Sequence, residues 1–340
     1  MSRQPRIVVI TGASSGIGRA TALRFAKRGA ALVLAARRAD ALEETAQLAR
    51  KAGAPDAVAL PTDVSDAAQV QALVDATIAR FGRIDVWVND AGVDAYGLLA
   101  DTPPEEIRRV IEVNALGTAL GTRAAIRAMT PQRRGVIVNI ASILGEVPQP
   151  YASVYSMTKA AVRALGAAVR SELRLAGLRG IQVATVLPAS TDTPAFRHSA
   201  NHTGRPLRPM PPVYSPDTVA KTVVRRAAHP VPETVVGVQG RAFVLAHRAA
   251  PRAVERQMAV QTKASQFRHR GSAGDTSGNL FRPYEAGQAT VTGGFHGRRA
   301  QGLRTLAGLA AFAVVVGMLA GGGTSGGSGG SSRGNRGKKK

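Results

Sequence analysis

Apolar residues fall along this chain in two alternating patterns. Short continuous runs, Ile7–Ile10, Ala31–Ala36, Ala57–Leu60, Ile84–Val88, Gly135–Ile140 and Ile181–Leu187, have the length and composition of strands buried on both faces. Between them lie longer stretches with apolar positions at helical spacing: Ile17–Lys27, Ala39–Arg50, Ala67–Phe81, Pro104–Met129 and Tyr155–Leu175. Apolar strands separated by amphipathic helices predict an α/β fold in which a doubly wound parallel sheet is covered by helices on both sides, three layers in all. Beyond Leu187 the pattern weakens. Residues 188–213, rich in Pro, Arg, His and Thr, read as a long loop. Pro216–Ala228 reads as a short helix capped by Ser215, and Thr234–Val238 as one more strand.

These shifts divide the chain. Residues 5–240 form the expected α/β domain, followed by a basic helical and irregular extension over 241–299. Within that extension 241–267 is helical in pattern and 268–299 is Gly-rich. A candidate membrane-spanning or membrane-lying helix covers 303–323, and 324–340 is a Gly/Ser/Lys-rich tail expected to be disordered. Thr305–Gly323 runs for nineteen residues without a charge, long enough to cross most of a hydrocarbon core. Gly317 and Gly321 have the spacing of a close helix-packing motif. Arg298, Arg299 and Arg304 precede this stretch, and Arg333, Arg336, Lys338, Lys339 and Lys340 follow it. No apolar leader precedes the first strand, so the catalytic part is expected in the cytoplasm and held at a membrane by the C-terminal segment.

Charge and composition narrow the chemistry. The formal net charge is +23, of which 1–195 carries only +6 and 196–340 carries +17. A basic tail suits an anionic surface, and Arg241, Arg248, Arg252, Arg256 and Lys263 are placed to face anionic lipid. The chain has no cysteine, which excludes disulfides, thiolate metal sites and a thiol nucleophile. Sparse aromatics (Trp 1, Tyr 5, Phe 8) argue against base-stacking platforms. The six histidines, at 198, 202, 229, 247, 269 and 296, lie outside the core motifs, and no metal site is expected. His198 and His202 are four apart but sit in the loop region.

The first strand runs into Thr11-Gly12-Ala-Ser14-Ser15-Gly16-Ile17-Gly18 and then into a helix. Strand, glycine turn and helix N-terminus together make an anion site. Glycine lets backbone approach a pyrophosphate, and the first helical N–H groups point at it. About twenty residues further on, the second strand ends in Arg37-Arg38 with no carboxylate before Asp40. Sites for NAD(H) use an acidic side chain there for the ribose 2′-OH. A guanidinium suits a 2′-phosphate instead, so NADP(H) is favoured over NAD(H), with Arg37 first in line.

The order of motifs resembles the short-chain dehydrogenase/reductase family over residues 5–240. After the glycine loop come Asp63-Val64, Val88-Asn89-Asp90-Ala91-Gly92, Asn114, Ser142, Tyr155-x-x-x-Lys159 and Pro188-Ala-Ser-Thr191-Asp-Thr193. The resemblance implies a Rossmann-like fold and an oxidoreductase that moves a hydride between nicotinamide and a carbonyl or secondary alcohol. It implies adenine contacts at Asp63 and Val64. Further cofactor contacts follow at Asn89, Ala91, Gly92, Tyr155, Lys159, Pro188, Thr191 and Thr193. Asp90 and Ala189 depart from the family pattern, which has asparagine and glycine there.

Tyr155 and Lys159 share a helix face, and a nearby ammonium lowers a phenol's pKa towards general acid–base work. Ser142 would donate to the substrate oxygen, Lys159 would bind the nicotinamide ribose, and Asn114 would hold a water joining Lys159 to solvent. Substrate choice is assigned to 189–213, with Gly145, Val147, Tyr151 and Thr191 as further walls. The substrate is expected to be a small molecule, a lipid-like or alicyclic carbonyl compound, and a homo-oligomer is among the expected partners. Two other readings stand beside this one: a dinucleotide-binding regulator without catalysis, and a nucleic-acid binder acting through the basic tail. The second lacks any DNA-reading motif.

Overall fold

The computed structural model describes residues 4–267, 271–284 and 289–295. Seven parallel strands form the central sheet: β1 (Ile7–Thr11), β2 (Ala31–Ala36), β3 (Ala57–Pro61), β4 (Val86–Asn89), β6 (Gly135–Ile140), β7 (Ile181–Pro188) and β9 (Glu233–Val236). Their spatial order is β3-β2-β1-β4-β6-β7-β9, so the winding direction reverses beside β1 and β4. That crevice, at the strands' C-terminal ends, is where open α/β sheets place their ligands. Two short strands, β5 (Ala95–Tyr96) and β8 (Ala200–Asn201), pair separately above it.

Alternation along each strand builds a core on both faces. Val8, Ile10, Leu32 and Leu34 point one way, against α1 (Gly16–Ala26), α2 (Ala39–Lys51) and α8 (Pro216–Ala228), which supply Phe25, Leu42 and Val223. Val9, Val33, Trp87 and Ile137 point the other way, against α3 (Ala67–Phe81), α5 (Gly117–Met129) and α6 (Ser153–Leu175), which supply Leu73, Met129 and Leu173. Each such side chain, fully buried, contributes about 1.5–3 kcal/mol of transfer free energy. Local signals hold as well. Asp66 caps α3 by accepting from the Ala68 and Gln69 N–H groups at 2.8 and 3.2 Å, and the Ser215 hydroxyl caps α8 through Thr218 N–H at 3.3 Å.

Three elements differ from the sequence pattern. The single helix expected over Pro104–Met129 is α4 (Pro104–Ile111) and α5 with a π turn, Glu112–Leu116, between them. The wider turn brings Asn114 inward, where its carboxamide accepts from Val93 N–H and donates to Val93 C=O, both at 2.8 Å. Val238 begins α9 (Val238–Ala249) instead of ending the last strand. The basic stretch after it is split by Pro251 into α9 and α10 (Pro251–Ser265). Val254, Met258 and Thr262, four apart, bury one face of α10.

The loop over 188–213 carries α7 (Ala195–His198) and β8. Thr305–Gly323 and the tail lie outside the described residues. Among the described residues no helix is long and apolar enough to cross a membrane.

Candidate active site

The glycine turn sits at the C-terminal end of β1 and is locked to the end of β4. Thr11 Oγ1 accepts from Asp90 and Ala91 N–H at 3.2 and 3.3 Å. Gly12 has φ of +71°, and a Cβ there would lie 2.7 Å from Ala91 N, so only glycine fits the turn. Ser15 precedes α1 in extended conformation without a side-chain cap, and no acidic residue occupies the first turn. The helix therefore keeps its anion-binding character.

One cleft of about 380 Å³ gathers most of the residues singled out in the sequence. Gly12, Ser14, Ser15, Gly16 and Ile17 line one end with Arg37, Arg38, Asp63 and Val64. Ala91, Gly92, Ser142, Tyr155 and Lys159 line the middle, followed by Pro188, Thr191 and Thr193. Three residues lie behind it. Gly18 packs against Gly12. The Asn89 carboxamide accepts from the Trp87 indole at 2.7 Å and donates to Asn139 Oδ1 at 2.8 Å and Thr122 Oγ1 at 3.1 Å. Asn114 is fully buried, and besides Val93 it reaches Thr158 Oγ1 at 3.2 Å. Asn114 Oδ1 and Lys159 Nζ nevertheless both approach Gly92.

Ser142 lies two residues beyond β6 and caps a 3-10 turn, its hydroxyl accepting from Leu144 N–H at 3.1 Å. Its hydroxyl also hydrogen-bonds Tyr155. Lys159 Nζ donates to Ile140 C=O at 2.9 Å and stands 5.4 Å from the Tyr155 ring centre. Burial pulls the Lys159 pKa down to about 8, against the pull of Asp90 and Asp94, which favour its charge. The Tyr155 phenol does not move as the ammonium alone would dictate. Burial raises it, Asp94 and Asp90 raise it further, and only the Ser142 hydrogen bond opposes them. Asp90, which replaces a neutral asparagine of the family pattern, is itself pushed up by burial, opposed by Lys159 and the Gly18 N–H.

Asp94 and Tyr96 had no place in the sequence reading. Asp94 lines the cleft, and burial pushes its carboxyl up to about 7 although Tyr96 hydrogen-bonds it. The only sign in the sequence was a second carboxylate four residues after Asp90 in a stretch of small and apolar residues. Arg109 also escaped. From α4 it pairs with Asp63 at 2.5 Å. Burial pushes the Asp63 carboxyl up, but the hydrogen bonds from Ser65 and Arg109 outweigh it and hold the group below its usual range.

The substrate walls are placed differently from expectation. Thr191 lines the cleft, with Phe196 and Met210 from the 189–213 loop. Val147 instead packs against Val244, Val254 and Met258, Gly145 lies against the Lys159 backbone, and Tyr151 meets the Phe267 ring edge-on at 5.1 Å. Helices α9 and α10 supply Phe243, Met258 and Gln261. Of their basic residues, Arg248 pairs with Glu146 at 2.6 Å and Arg241 donates to Val235 C=O at 3.1 Å. His198 and His202 diverge: His202 pairs with Glu106 at 2.8 Å, and His198 stacks on Tyr284 at 3.8 Å. Among the described residues no group of ligating side chains could hold a metal ion.

The model of the short chain dehydrogenases matches residues 6–203. The chain belongs to that family. It is 31% identical over 322 residues to YxnA, an uncharacterised oxidoreductase of Bacillus subtilis, covering 93% of this chain and 89% of that protein. A short-chain dehydrogenase/reductase from Burkholderia phymatum, solved in complex with NAD, superposes with TM-score 0.67 at 30% identity, covering 74% of this chain and 96% of that one. An alcohol dehydrogenase from Thermococcus sibiricus, complexed with 5-hydroxy-NADP, gives TM-score 0.60 at 30% identity, covering 68% and 96%. The protein is thus an oxidoreductase acting on CH–OH groups, with a Rossmann-like fold that binds a nicotinamide dinucleotide.

Proposed function

We propose that this dehydrogenase is an NADP(H)-dependent enzyme that interconverts a bulky apolar ketone and its secondary alcohol, with Tyr155 handling the proton. The observation that carries the reading is the meeting of Ser142, Tyr155 and Lys159 in the same cleft as the glycine turn and Arg37. The residues present fit the cofactor. The turn is a cradle that a Cβ at Gly12 would fill, and the uncapped α1 N-terminus points donors at it. Gly12, Ser14, Ser15, Gly16 and Ile17 would hold the pyrophosphate, with Gly18 allowing the close turn. Asp63 and Val64 would flank the adenine, and Arg37, backed by Arg38, would take the 2′-phosphate. Ala91, Gly92, Pro188, Thr191, Thr193 and Lys159 would position the other half, with Asn89 bracing the wall behind them.

When bound, the reduced dinucleotide supplies the hydride. The chain's own groups manage the proton. Tyr155, raised above the ordinary phenol range, keeps its proton at neutral pH and can give it to a ketone oxygen. Ser142 steadies the charge developing on that oxygen. Lys159 lies beside the phenol with Asn114 close behind it, which suits reprotonation from solvent. A phenol that holds its proton favours ketone reduction near neutral pH, whereas alcohol oxidation calls for alkaline conditions. Phe196, Met210, Phe243 and Met258 give the substrate end apolar walls.

A panel of apolar ketones offered with NADPH or NADH, followed by loss of reduced-nicotinamide absorbance, tests the reading. We expect turnover of at least one ketone and higher kcat/KM with NADPH; equal efficiency with NADH would sink the cofactor assignment. The uncharged stretch Thr305–Gly323 remains the segment we assign to lipid contact. Recovery of the full-length protein in the soluble fraction at low salt would end that assignment.

A further inference from the structure

We infer that two C-terminal stretches, 271–284 and 289–295, act as an internal competitor for the adenosine half of the dinucleotide cleft. The inference rests on the cofactor assignment above and extends it to regulation of that site. The donors assigned to the dinucleotide are taken up by main-chain carbonyls of these stretches. Gly16 N–H, at the head of α1, donates to Thr290 C=O at 3.0 Å. The Arg37 guanidinium donates to Leu280 C=O at 2.8 Å and to Asn279 C=O at 2.5 Å. Arg109, the partner of Asp63, donates to Leu280 C=O at 3.0 Å. The Leu280 side chain is fully buried in the apolar cluster of Val64, Val93, Val110 and Val113, beside the position given to adenine.

Both stretches are also held by the 189–213 loop. Thr276 and Asn201 exchange main-chain hydrogen bonds at 2.8 and 3.3 Å, and Asn279 N–H donates to His198 C=O at 2.8 Å. Gly293 N–H reaches Asp192 C=O at 3.2 Å, and Phe295 N–H reaches Asp192 Oδ1 at 2.9 Å. The Tyr284 ring lies between His198, stacked on it, and the Arg38 guanidinium, 4.9 Å from its centre. Gly278 permits this seating. Its φ is +51°, and a Cβ there would come 2.2 Å from His198 O.

Neutral carbonyls are weaker acceptors than phosphate oxygens, so a dinucleotide can replace them at Gly16 and Arg37. It can do so only when the stretches lift. The fraction of molecules in the lifted state then scales the affinity for every dinucleotide by one common factor. Arg37, backed by Arg38, separates NADPH from NADH. The C-terminal stretches set how tightly either binds.

Full-length protein and its Gly278→Val and Leu280→Ser variants would be titrated with NADPH and with NADH, read by nicotinamide fluorescence. Both variants should bind both dinucleotides about tenfold more tightly, the factor for a segment seated in roughly nine molecules of ten. Unchanged or weakened affinity for both dinucleotides overturns the proposal. Hydrogen exchange of the unaltered protein gives an independent reading through the amides of Thr276, Asn279 and Gly293. Saturating NADPH should speed their exchange. Slower exchange would make the segment a cover over bound dinucleotide and refute competition. Equal affinity for NADPH and NADH in the unaltered protein would end the role of Arg37 yet leave the common factor in the variants intact, so the two ideas fail separately.

Discussion

At the end of the cleft proposed for catalysis, Ser142, Tyr155 and Lys159 come from the segment just past one strand and the helix that follows it, and they are held by side-chain and main-chain bonds within that unit. At the adenosine end, Arg37 is held by carbonyls 242 and 243 residues away in the chain. The first end is part of the sheet's own core. The second is closed by irregular backbone with one fully buried apolar anchor, Leu280. Segments with few buried contacts open at low free-energy cost, whereas core elements open only with the whole fold. On the proposed assignment, the cleft joins a rigid chemical end to an adjustable binding end.

That contrast predicts which property each substitution damages. Tyr155→Phe should cut turnover by about 10²–10⁴-fold, the usual loss of a general acid. Dinucleotide affinity, measured by titration, should stay unchanged. More than half of the original turnover would take Tyr155 out of its role. Arg37→Asp should do the reverse. The NADPH-to-NADH ratio of kcat/KM should fall by about 10–100-fold, as expected for a lost charge-assisted contact plus repulsion, with kcat on the better cofactor kept. An unmoved ratio would break the division between the two ends.

A subtler test lies in the middle of the cleft, at Asp94. Its carboxyl stands at about 7 in the folded protein, against 3.8 ordinarily, so folding favours the protonated form. That stabilisation is complete below pH 3.8 and disappears as pH rises through about 7. Asp94→Asn should therefore flatten the fall in Tm between pH 4 and pH 7. It should also lower the Tyr155 pKa, shifting the alkaline limb of the rate profile to lower pH, because Asp94 raises that phenol. A rate profile that keeps its alkaline limb in place would separate Asp94 from the chemistry. The smallest effect is expected far from the cleft. Arg24 and Asp217 form an ion pair between α1 and α8, with side chains 32% and 61% exposed. Arg24→Ala should cost less than about 1 kcal/mol in urea unfolding and leave both ends of the cleft unaltered.

Legibility followed the same division. The sheet strands were readable because a parallel sheet buried on both faces needs uninterrupted apolar runs, and each of them stands where the pattern put it, within two residues at either end. The glycine turn and Tyr155–Lys159 were readable because their chemistry depends on local spacing. The π turn at Glu112–Leu116 was not, since the Asn114–Val93 pairing that goes with it joins residues twenty-one apart. Nor could spacing reveal that Phe243 and Met258 wall the substrate end, or that Leu280 reaches Val64. These are tertiary contacts of ordinary apolar residues, which carry no motif. The phenol's direction was misjudged for a related reason. The Tyr155–Lys159 spacing implies an ammonium nearby, but burial and the carboxylates of Asp90 and Asp94 raise the phenol, opposed by Ser142.

Trp87 gives the molecule a built-in optical gauge. It is the chain's single tryptophan, it is fully buried in β4, and its indole N–H is bonded to Asn89, two residues before Ala91 on the cleft wall. Emission from this one fluorophore should resist iodide quenching while the sheet is intact. It reports on one site, the back of the catalytic wall, with no labelling and no second tryptophan to deconvolute. A ligand that loosens only the C-terminal stretches would leave it dark to quencher, whereas one that disturbs β4 would expose it.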